Sequence, residues 1–377
     1  MKIGFDAKRF FFNHSGLGNY SRQLLESLFQ NHPEHEYVLY VDRLDALDHA
    51  HPEALRILQH YGNSKTGGAD LCTLVMVNAP KWWRIWGMGR RAAADGVEVF
   101  HGLSNELPWD LPKSINSICT IHDVLFKEFP GYYKWWDRVI YHFKSKKAID
   151  LASHLVMTSR ATQKQVEHYY PNSKHRSTII YQGVDEAFFS LDNHTMGQKI
   201  GEPYFVYQSS FTMRKNHLAL IEAYALIQKQ TPWNLLLIGL NGSTLEEVKI
   251  AIDRLSLSNR VTCMVDVSKE EMISIVKGAS GFVYPSLNEG FGIPLGEALA
   301  ANLTMAVSDI QVFRELGEEL PVYFHPNIPE EMAAAMMRIT QSEEQTRQRM
   351  LREPLRKKID STQIAKQWVG LYSSLSR

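Results

Sequence analysis

Short apolar runs alternate along the chain with longer segments in which apolar residues recur every three or four positions. The short runs indicate buried β-strands, and the longer period indicates amphipathic helices. A strand followed by a helix, repeated many times, is typical of a parallel sheet covered by helices on both faces. We therefore predict an α/β fold with strands at residues 2–7, 37–41, 72–77, 97–101, 115–122, 154–158, 178–181, 204–208, 234–239, 261–265, 281–284 and 304–308.

The alternation is interrupted once, over residues 185–202, where the chain is largely polar, contains two glycines and shows no period. A length of 377 residues is enough for two domains that each bury a core. We interpret the interruption as a linker between two doubly wound, Rossmann-like domains, residues 1–190 and 203–359. The final segment, 360–377, is predicted to be an amphipathic helix that could close either domain, and packing back on the first is one hypothesis.

The composition excludes several classes of protein. Lysine plus arginine (41) equals aspartate plus glutamate (41), so the chain lacks the net basic charge that general nucleic-acid binding requires. Its three cysteines, Cys72, Cys119 and Cys263, are too far apart for a metal or redox pair and indicate reduced thiols. No apolar run approaches the roughly 18 residues of a membrane span, and no signal peptide is predicted. We predict a cytoplasmic protein without a nucleic-acid partner.

Ligands of open α/β sheets bind beyond the carboxyl ends of the strands, so functional residues are expected at those positions. The loop after the first predicted strand contains Gly16 and Gly18. Glycines there allow the backbone to approach a diphosphate at a helix N-terminus, although an ordinary glycine-rich cap explains the pattern equally well. The third glycine of a dinucleotide-binding fingerprint is missing, which disfavours a dinucleotide-dependent oxidoreductase.

A basic pair, Arg214 and Lys215, follows the strand predicted at 204–208 and precedes a helix. Two adjacent cations beside a helix N-terminus can hold a diphosphate without a metal ion, whereas a lone basic pair is more often simply solvated. No Asp-x-Asp pair ends a predicted strand to chelate a divalent ion, so we expect no metal. The charge that develops on a leaving diphosphate would then be stabilised by these cations and by helix dipoles.

The most specific motif is the glycine-rich loop and helix start at residues 284–298, YPSLNEGFGIPLGEA. Glycines let backbone amides face a ligand, and carboxylates accept hydrogen bonds from the vicinal hydroxyls of a sugar. We expect Glu289 and Glu297 to be the two binding carboxylates. Alternatively, Glu289 is only a partner of the helix dipole, and Glu297 is an exposed helix residue.

A histidine and an aspartate, His122 and Asp123, end the strand predicted at 115–122, on the side of the sheet where ligands bind. A histidine at this edge could move a proton or contact a phosphate. The chain has fifteen histidines, and a hydrogen-bonded cap is the more common role for any single one of them. The position alone leaves the role of His122 open.

These motifs together carry a resemblance to a known family. With VFHG, TIHD, SRAT, YQGVD, RKN and LLLIG, they make the chain similar to the retaining glycosyltransferases of family 4 over nearly its whole length. That family has the GT-B fold, in which two Rossmann-like domains face each other across a cleft. Glu289 and Glu297 match its E-x7-E signature, and the N-terminal part resembles bacterial O-antigen and capsule mannosyltransferases. Ser209 and Ser210 depart from it, because the family usually has glycine before the basic pair.

The resemblance implies a role for each matched residue. Glu289 and the adjacent backbone amides would hold the donor sugar, and Glu297 would bind the ribose of the nucleotide. Arg214 and Lys215 would neutralise the diphosphate leaving group, and His122 would lie beside the transferred sugar. The other donor-binding residues that the resemblance implies are Gly16, Gly18, Asp123, Asn288, Gly290, Phe291 and Gly292.

The activity implied by the resemblance is a retaining transfer of a hexose from a nucleotide-diphosphate sugar to a glycan or lipid-linked glycan, in surface-polysaccharide synthesis. The reaction would use no cofactor or metal, and the leaving diphosphate could itself take the acceptor proton. GDP-mannose and UDP-hexoses are both compatible donors. A non-catalytic sugar-nucleotide-binding protein is an alternative, and a dinucleotide-dependent oxidoreductase is a less favoured one.

Two segments, 81–91 and 131–147, interleave aromatic and basic residues. The first holds four positive and no negative residues, and the second holds five positive and one negative. Both segments are predicted to contact a sugar-chain acceptor, or the surface of an anionic membrane that carries a lipid-linked acceptor. The alternative is an amphipathic helix whose aromatic side chains pack in the core.

Overall fold

The computed structural model describes residues 1–62, 69–80, 82–190 and 202–376. The chain divides into two compact units, Met1–Gly183 with Asp360–Arg377, and Val184–Ile359. Each unit contains one parallel sheet with helices, which confirms the predicted α/β class with two Rossmann-like domains. Most of the predicted linker (191–201) and Lys81, the first residue of the first aromatic segment, lie outside the described residues.

The sheet of the first unit is entirely parallel and has seven strands in the described ranges. They are β1 (Lys2–Asp6), β2 (Glu36–Val41), β3 (Cys72–Met76), β4 (Val99–Gly102), β5 (Asn116–Ile121), β6 (His154–Met157) and β7 (Ser177–Ile179). Their order in space is β3-β2-β1-β4-β5-β6-β7. The first three strands extend from β1 toward one edge of the sheet, and β4 then pairs with the other side of β1. The carboxyl ends of β1 and β4 are therefore next to each other.

Helices follow most of these strands. In chain order they are α1 (Lys8–Phe12), α2 (Gly16–Asn31), α3 (Pro52–Tyr61), α4 (Trp83–Trp86), α5 (Met88–Ala94), α6 (Leu125–Glu128), α7 (Trp135–Leu151) and α8 (Arg160–Tyr169).

Alternate residues of each central strand enter two different hydrophobic cores. In β2, Tyr37, Leu39 and Val41 pack in the cluster on one face, and Val38 and Tyr40 pack in the cluster on the other. Successive side chains of a strand point to opposite faces, so an uninterrupted apolar run is expected where both faces are covered. The uninterrupted apolar run in the sequence thus indicates a central strand that is buried on both faces.

The second unit has a six-stranded parallel sheet within the part of the chain that the structure describes. Its strands are β8 (Tyr204–Gln208), β9 (Asn234–Gly239), β10 (Val261–Val265), β11 (Gly281–Tyr284), β12 (Met305–Ser308) and β13 (Val322–Phe324), in the order β10-β9-β8-β11-β12-β13. Its helices are α9 (His217–Ile227), α10 (Leu245–Arg254), α11 (Lys269–Gly278), α12 (Ile293–Ala300), α13 (Gln311–Gly317), α14 (Pro329–Ile339) and α15 (Ser342–Lys358).

All twelve predicted strands overlap an observed strand, and β13 is an additional one. It consists of three residues that pair with β12 at the edge of the sheet. So short a segment is below the length at which an apolar run can be distinguished from a loop or a buried helical turn. Its strand conformation depends on the neighbouring edge and was missed for that reason.

The predicted boundary of the first domain at residue 190 is wrong by seven residues, because the second unit begins at Val184. The Val184 amide donates to Ile359 O at 2.9 Å. Lys277 Nζ donates to Ser190 Oγ at 2.8 Å and to the carbonyl of Ala187. The segment therefore belongs by its contacts to the second unit, which polar composition alone could not indicate.

The last helix, α16 (Ser361–Leu375), packs on the first unit. The Ser27 hydroxyl of α2 donates to Ser361 O at 2.9 Å, and the Trp368 ring stacks on His101 with centroids 4.4 Å apart. The apolar stripe of α16 is thereby buried, with Trp368 and Tyr372 both inaccessible to solvent. In the described ranges, none of the helices has the length and hydropathy needed to cross a bilayer.

Candidate functional site

Arg214, Lys215 and Glu289 form an ion-paired group in the second unit, beyond the carboxyl ends of β8 and β11. Arg214 Nη1 donates to Glu289 Oε2 at 2.8 Å, and Lys215 Nζ donates to Oε1 at 2.5 Å. The Tyr284 hydroxyl donates to the same Oε1 at 3.0 Å. Arg214 Nη1 also donates to Asn288 O at 2.5 Å, so the basic pair is attached to the glycine-rich loop. Residues 74 positions apart in the sequence thus form one cluster.

The backbone around the basic pair holds it in place. Met213–Lys215 form a single 3₁₀ turn after β8, and Asn216 follows with a left-handed backbone at φ +59°. Asn216 Nδ2 donates to Pro285 O at 3.1 Å and to a second loop carbonyl at 2.7 Å. The Tyr207 hydroxyl donates to Lys215 O at 2.7 Å. Both cations are therefore presented by a backbone with several independent attachments.

Glu289 is ionised in this environment although its side chain is only 9% exposed. Burial alone would raise its pKa, but the charges of Arg214 and Lys215 outweigh burial and lower the pKa of Glu289 to about 2. Burial lowers the pKa of Lys215, and the Glu289 carboxylate opposes that effect. The three groups neutralise one another in part, so a diphosphate would have to compete with Glu289 for the two cations.

The glycine-rich loop ends at Gly292, which precedes α12 and has φ +94°. A Cβ at this position would lie 2.7 Å from the Phe313 ring, so only glycine fits both the backbone and the space. Gly290 and Phe291 are buried in the same loop, and Asn288 contributes its carbonyl to Arg214. The loop conformation predicted for an anion or sugar contact is thus set by local packing.

Glu297 lies in α12, is 7% exposed, and has an Oε2 without a hydrogen-bond partner among the described residues. Burial, and then the charge of Asp185, raise the pKa of Glu297 to about 7, while Gln208 and Lys269 act in the opposite direction. The alternative of an exposed helix residue is wrong. A buried carboxyl with an unbonded oxygen is a group that sugar hydroxyls could satisfy.

The burial of Glu297 follows from the close packing of α12. A Cβ on the neighbouring Gly296 would lie 2.8 Å from Val184 Cγ2, so α12 can approach the start of the unit only because residue 296 is glycine. The helix therefore lies against the segment that also supplies Asp185. This contact places a second carboxylate near Glu297 and explains part of its raised pKa.

His122 lies in the first unit, where it is 7% exposed and both of its ring nitrogens have partners. Its Nε2 is 2.8 Å from Leu103 O and must donate there, so its Nδ1 accepts from Gln182 Nε2 at 3.2 Å. The Tyr20 ring meets the imidazole edge-on at 4.6 Å. Burial lowers the pKa of His122 to about 4, with the backbone bond to Leu103 opposing it and Arg9 supporting it. His122 is therefore neutral at physiological pH, with one defined tautomer.

Of the remaining predicted residues of the first unit, Asp123 and Gly18 make local structural hydrogen bonds. An Asp123 carboxylate oxygen accepts from the Leu125 amide at 3.2 Å. The Gly18 amide donates to Asn13 Oδ1 at 2.9 Å, and a Cβ on Gly18 would lie 1.9 Å from Asn13 O. Gly16 is exposed at the start of α2, and a Cβ there would have no described atom within 4 Å. Gly18 is thus required by the loop itself, whereas Gly16 has space beside it.

Several residues that support or lie beside the predicted site residues were not themselves predicted as site residues. Tyr284 and Asn216 support the ion-paired group, Gln208 lies beside Glu297, and Gln182 fixes the tautomer of His122. Gln208 and Tyr284 are the last residues of β8 and β11, so their position at strand ends was a usable signal. Gln182 lies in the YQGVD motif and Asn216 in RKN, but neither motif indicates the bond to His122 or the left-handed backbone at Asn216.

The aromatic residues of the two basic segments are largely exposed. Trp135 is 69% exposed, Trp82 is 60% and Phe143 is 57%. Arg84 binds Asp6 and Glu106, and Lys144 binds Glu106 at 3.1 Å, so α4 and α7 are tied to the same acidic side chain. We call the exposed apolar set the aromatic surface: Trp82, Trp86, Trp135, Trp136, Val139, Ile140, Tyr141 and Phe143. The alternative in which these aromatic residues pack in the core is wrong.

In the same described ranges, no group of three or more histidine, cysteine, aspartate or glutamate side chains is arranged to hold a metal ion. The three cysteines are free thiols, with Cys72 and Cys119 buried.

Comparisons with known proteins connect this geometry to a family. A curated relative, the O-antigen chain mannosyltransferase RfbU of Salmonella typhimurium, is 27% identical over 238 residues, which cover 61% of this chain and 63% of the relative. A GDP-mannose:cellobiosyl-diphosphopolyprenol alpha-mannosyltransferase of Xanthomonas oryzae is 37% identical over 152 residues, 38% of this chain and 37% of that protein. The chain thus spans less than two thirds of the length of these relatives.

A solved structure of Anabaena HepE in complex with UDP and glucose matches this chain with a TM-score of 0.72 at 16% identity, covering 99% of this chain and all of the other. This likeness shows that the fold is that of the GT-B glycosyltransferases. The family model of Glycosyltransferase Family 4 matches residues 15–188, and that of Glycosyl transferases group 1 matches residues 195–354. With both halves matched, the chain belongs to the group 1, family 4 glycosyltransferases.

Proposed function

We propose that the chain transfers a hexose from a nucleotide-diphosphate sugar to a glycan or lipid-linked glycan in surface-polysaccharide synthesis, with retention of configuration and without a metal ion. The observation that carries this proposal is the cluster of Arg214, Lys215 and Glu289, in which Glu289 lies on the same loop-and-helix motif as the buried carboxyl of Glu297. Two cations suit a diphosphate, and two carboxylates suit the hydroxyls of a sugar and a ribose. The names of the mannosyltransferase relatives support the substrate class.

The ion pairs of the cluster suggest how the donor is bound. The diphosphate takes the place of Glu289 as the counter-ion of Arg214 and Lys215, and the released Glu289 oxygens accept hydrogen bonds from the donor sugar. Each charge then exchanges one partner for another, so none is left buried and unpaired. The backbone attachments of the basic pair keep both cations in place during the exchange.

In the transfer step, the bond between the anomeric carbon and the diphosphate oxygen breaks, and its electron pair leaves with the nucleoside diphosphate. An acceptor hydroxyl attacks the anomeric carbon from the same face, and its proton passes to the leaving diphosphate oxygen. Arg214 and Lys215 stabilise the charge that develops on that oxygen. On the family resemblance, Gly16 and Gly18 would border the diphosphate, and His122 would lie beside the transferred sugar as a neutral, positioned imidazole.

GDP-mannose is the first donor to test, because the Xanthomonas relative is named for it, and UDP-hexoses are the second candidates. A panel of nucleoside diphosphates in a thermal-shift experiment identifies the base, since a ligand that binds only the folded chain raises its melting temperature. A non-catalytic sugar-nucleotide-binding protein would show the same shift but would form no product with any glycan acceptor.

Substitution of His122 by alanine is expected to lower turnover more than donor affinity. The imidazole is neutral with a pKa of about 4, so the pH dependence of turnover between about pH 5 and 9 should be the same in the variant and the parent. Steady-state kinetics across that range measure both quantities. A loss of donor affinity alone, or the disappearance of an ionisation near neutral pH, would contradict this role.

We further propose that the aromatic surface rests on an anionic membrane carrying a lipid-linked acceptor. One of its exposed rings lies beside a cation, with Lys134 over the Trp136 ring at 5.5 Å. Lys147 lies over the Trp109 ring at 5.9 Å, and that ring meets Phe143 of the aromatic surface edge-on at 5.6 Å. Tryptophans suit the membrane interface, and basic side chains are attracted to anionic lipid headgroups. Large exposed apolar patches are uncommon on soluble monomers, and the aromatic surface exposes eight large apolar side chains on these two segments.

Substitution of both Trp135 and Trp136 by serine is expected to reduce binding to vesicles of phosphatidylglycerol by about tenfold or more, because two exposed rings lose their interfacial contact. Co-sedimentation at low salt measures the bound fraction. Ile250→Ser removes a 66% exposed apolar side chain from the second unit and serves as the matched control. Absence of binding by the parent chain, or equal losses in both variants, would exclude this surface as the membrane contact.

A further inference from the structure

A polar pocket of about 460 Å³ lies in the second unit at the amino ends of β11 and β12. Ser280 immediately precedes β11 and Thr304 immediately precedes β12, whereas Glu289 follows the carboxyl end of β11. The pocket is therefore at the sheet edge opposite to the donor loop. Among the described residues, its polar lining contains hydrogen-bond donors and no carboxylate: Ser280, Asn302, Thr304, Gln345, Arg349 and Arg352.

Arg352 is a buried cation without a counter-charge in the described part of the chain. It is 6% exposed, its Nη2 donates to Leu303 O at 2.9 Å, and its Nε has no hydrogen-bond partner there. Within the described residues it pairs with no carboxylate, whereas the other two buried basic side chains, Arg22 and Lys215, have one at 3.6 and 2.5 Å. An unpaired buried charge is costly, so this arrangement favours an anion.

Neighbouring charges strengthen the positive potential. Burial, and then the charges of Arg356 and Arg349, lower the pKa of Arg352 to about 10. Arg349 is exposed at the pocket, and the Nε of Arg356 is buried without a hydrogen-bond partner in the described ranges. Arg356 also has a carboxylate partner in Glu353, at 3.5 Å, so the two guanidinium groups that line the pocket are those of Arg349 and Arg352.

We propose that this pocket binds a small phosphorylated anion, with Arg349 and Arg352 as its cationic ligands and the hydroxyls of Ser280 and Thr304 as further donors. Guanidinium groups bind phosphoryl oxygens in pairs, and the volume leaves room for an organic group beyond the phosphate. The eight residues of α12 separate the pocket from the donor loop by about 12 Å along the helix. The site is therefore distinct from that of the donor diphosphate and does not depend on the proposed function.

The experiment is a calorimetric titration of the full chain with inorganic phosphate at near-neutral pH and constant chloride. We expect saturable binding to one site with a dissociation constant of about 1 mM or below. Arg349→Gln should weaken binding about tenfold, because the exposed guanidinium is lost without a change in the core. Lys357→Gln, which removes an equal charge from the same helix outside the pocket, should stay within about twofold of the parent.

A second pair of variants distinguishes this pocket from the donor site. Arg214→Gln should leave phosphate binding unchanged, and Arg352→Gln should abolish it while a melting curve reports whether the variant is folded. The proposal is overturned if the parent chain shows no saturable phosphate binding up to about 10 mM. Equal weakening by Arg349→Gln and Lys357→Gln, or loss of binding in Arg214→Gln alone, would overturn it as well.

Discussion

Replacement of Glu289 by glutamine is expected to lower turnover by about 10²–10³-fold while leaving the affinity for a nucleoside diphosphate unchanged or tighter. Glu289 is a counter-ion of Arg214 and Lys215 at 2.8 and 2.5 Å, so its neutralisation frees both cations for the diphosphate. The hydrogen bonds to the donor sugar are weakened at the same time. We therefore expect turnover to fall while the calorimetric affinity for the nucleoside diphosphate stays the same or increases.

The affinity of the variant is measured for a nucleoside diphosphate and for the intact nucleotide sugar, because only the nucleotide sugar presents a sugar to residue 289. Asp309→Asn is the matched control, since it breaks an exposed ion pair with Arg314 in the same unit. Its turnover should stay within about twofold of the parent. A Glu289→Gln variant with parental turnover at saturating donor would exclude Glu289 from the reaction.

Replacement of Glu297 by glutamine is expected to stabilise the chain at alkaline pH and to weaken nucleotide binding. The folded-state pKa of about 7 lies above the ordinary value of 4.5 for a glutamate, so the folded chain retains a proton that the unfolded chain has lost. The stabilising contribution of the protonated carboxyl is fully present below about pH 4.5 and is lost as the pH rises through 7. The difference between the two pKa values lowers the free energy of unfolding by about 3 kcal/mol at pH 8, and glutamine, which does not ionise, removes that loss.

Two measurements test this second prediction. Urea unfolding at pH 5 and pH 8 should show that the advantage of the glutamine variant grows with pH, whereas the exposed Glu222→Gln control should show no such trend. The parent should bind a nucleotide sugar more tightly as the pH rises through 7, because the ionised carboxylate accepts the ribose hydroxyls. A nucleotide sugar is used because its doubly esterified diphosphate does not titrate in this range. If the affinity for the nucleotide sugar had the same pH dependence in parent and variant, Glu297 would be excluded as a ligand of the nucleotide.

The strand-and-helix alternation was sufficient to predict the sheets, because a parallel strand covered on both faces must be apolar at every position. It was also sufficient to place Arg214, Lys215 and Glu289 at strand ends. Their mutual contact could not be predicted, since it depends on β8 and β11 being neighbours in the sheet although β9 and β10 intervene in the sequence. Strand order across a sheet is a tertiary property.

The burial of particular side chains was the second property that could not be predicted from the sequence. Glu297 was compatible with an exposed helix position until the packing of α12 against Val184 was known, a contact that only Gly296 permits. In α7, the apolar spacing alone did not reveal which residues face the core. The buried side chains are Ser145, Ala148 and Ile149, near its C-terminal end, and the bulky aromatic residues are left outside.

The most direct test of the central claim is a calorimetric titration of the chain with GDP and with UDP in the presence of EDTA. We expect one of the two to bind at a single site, and the double variant Arg214→Gln with Lys215→Gln to weaken that binding by about 100-fold. Metal chelation should leave the parent affinity unchanged, because the two cations supply the charge. Absence of binding by the parent, or binding that survives the loss of both cations, would contradict the assignment of this cluster as the donor diphosphate site.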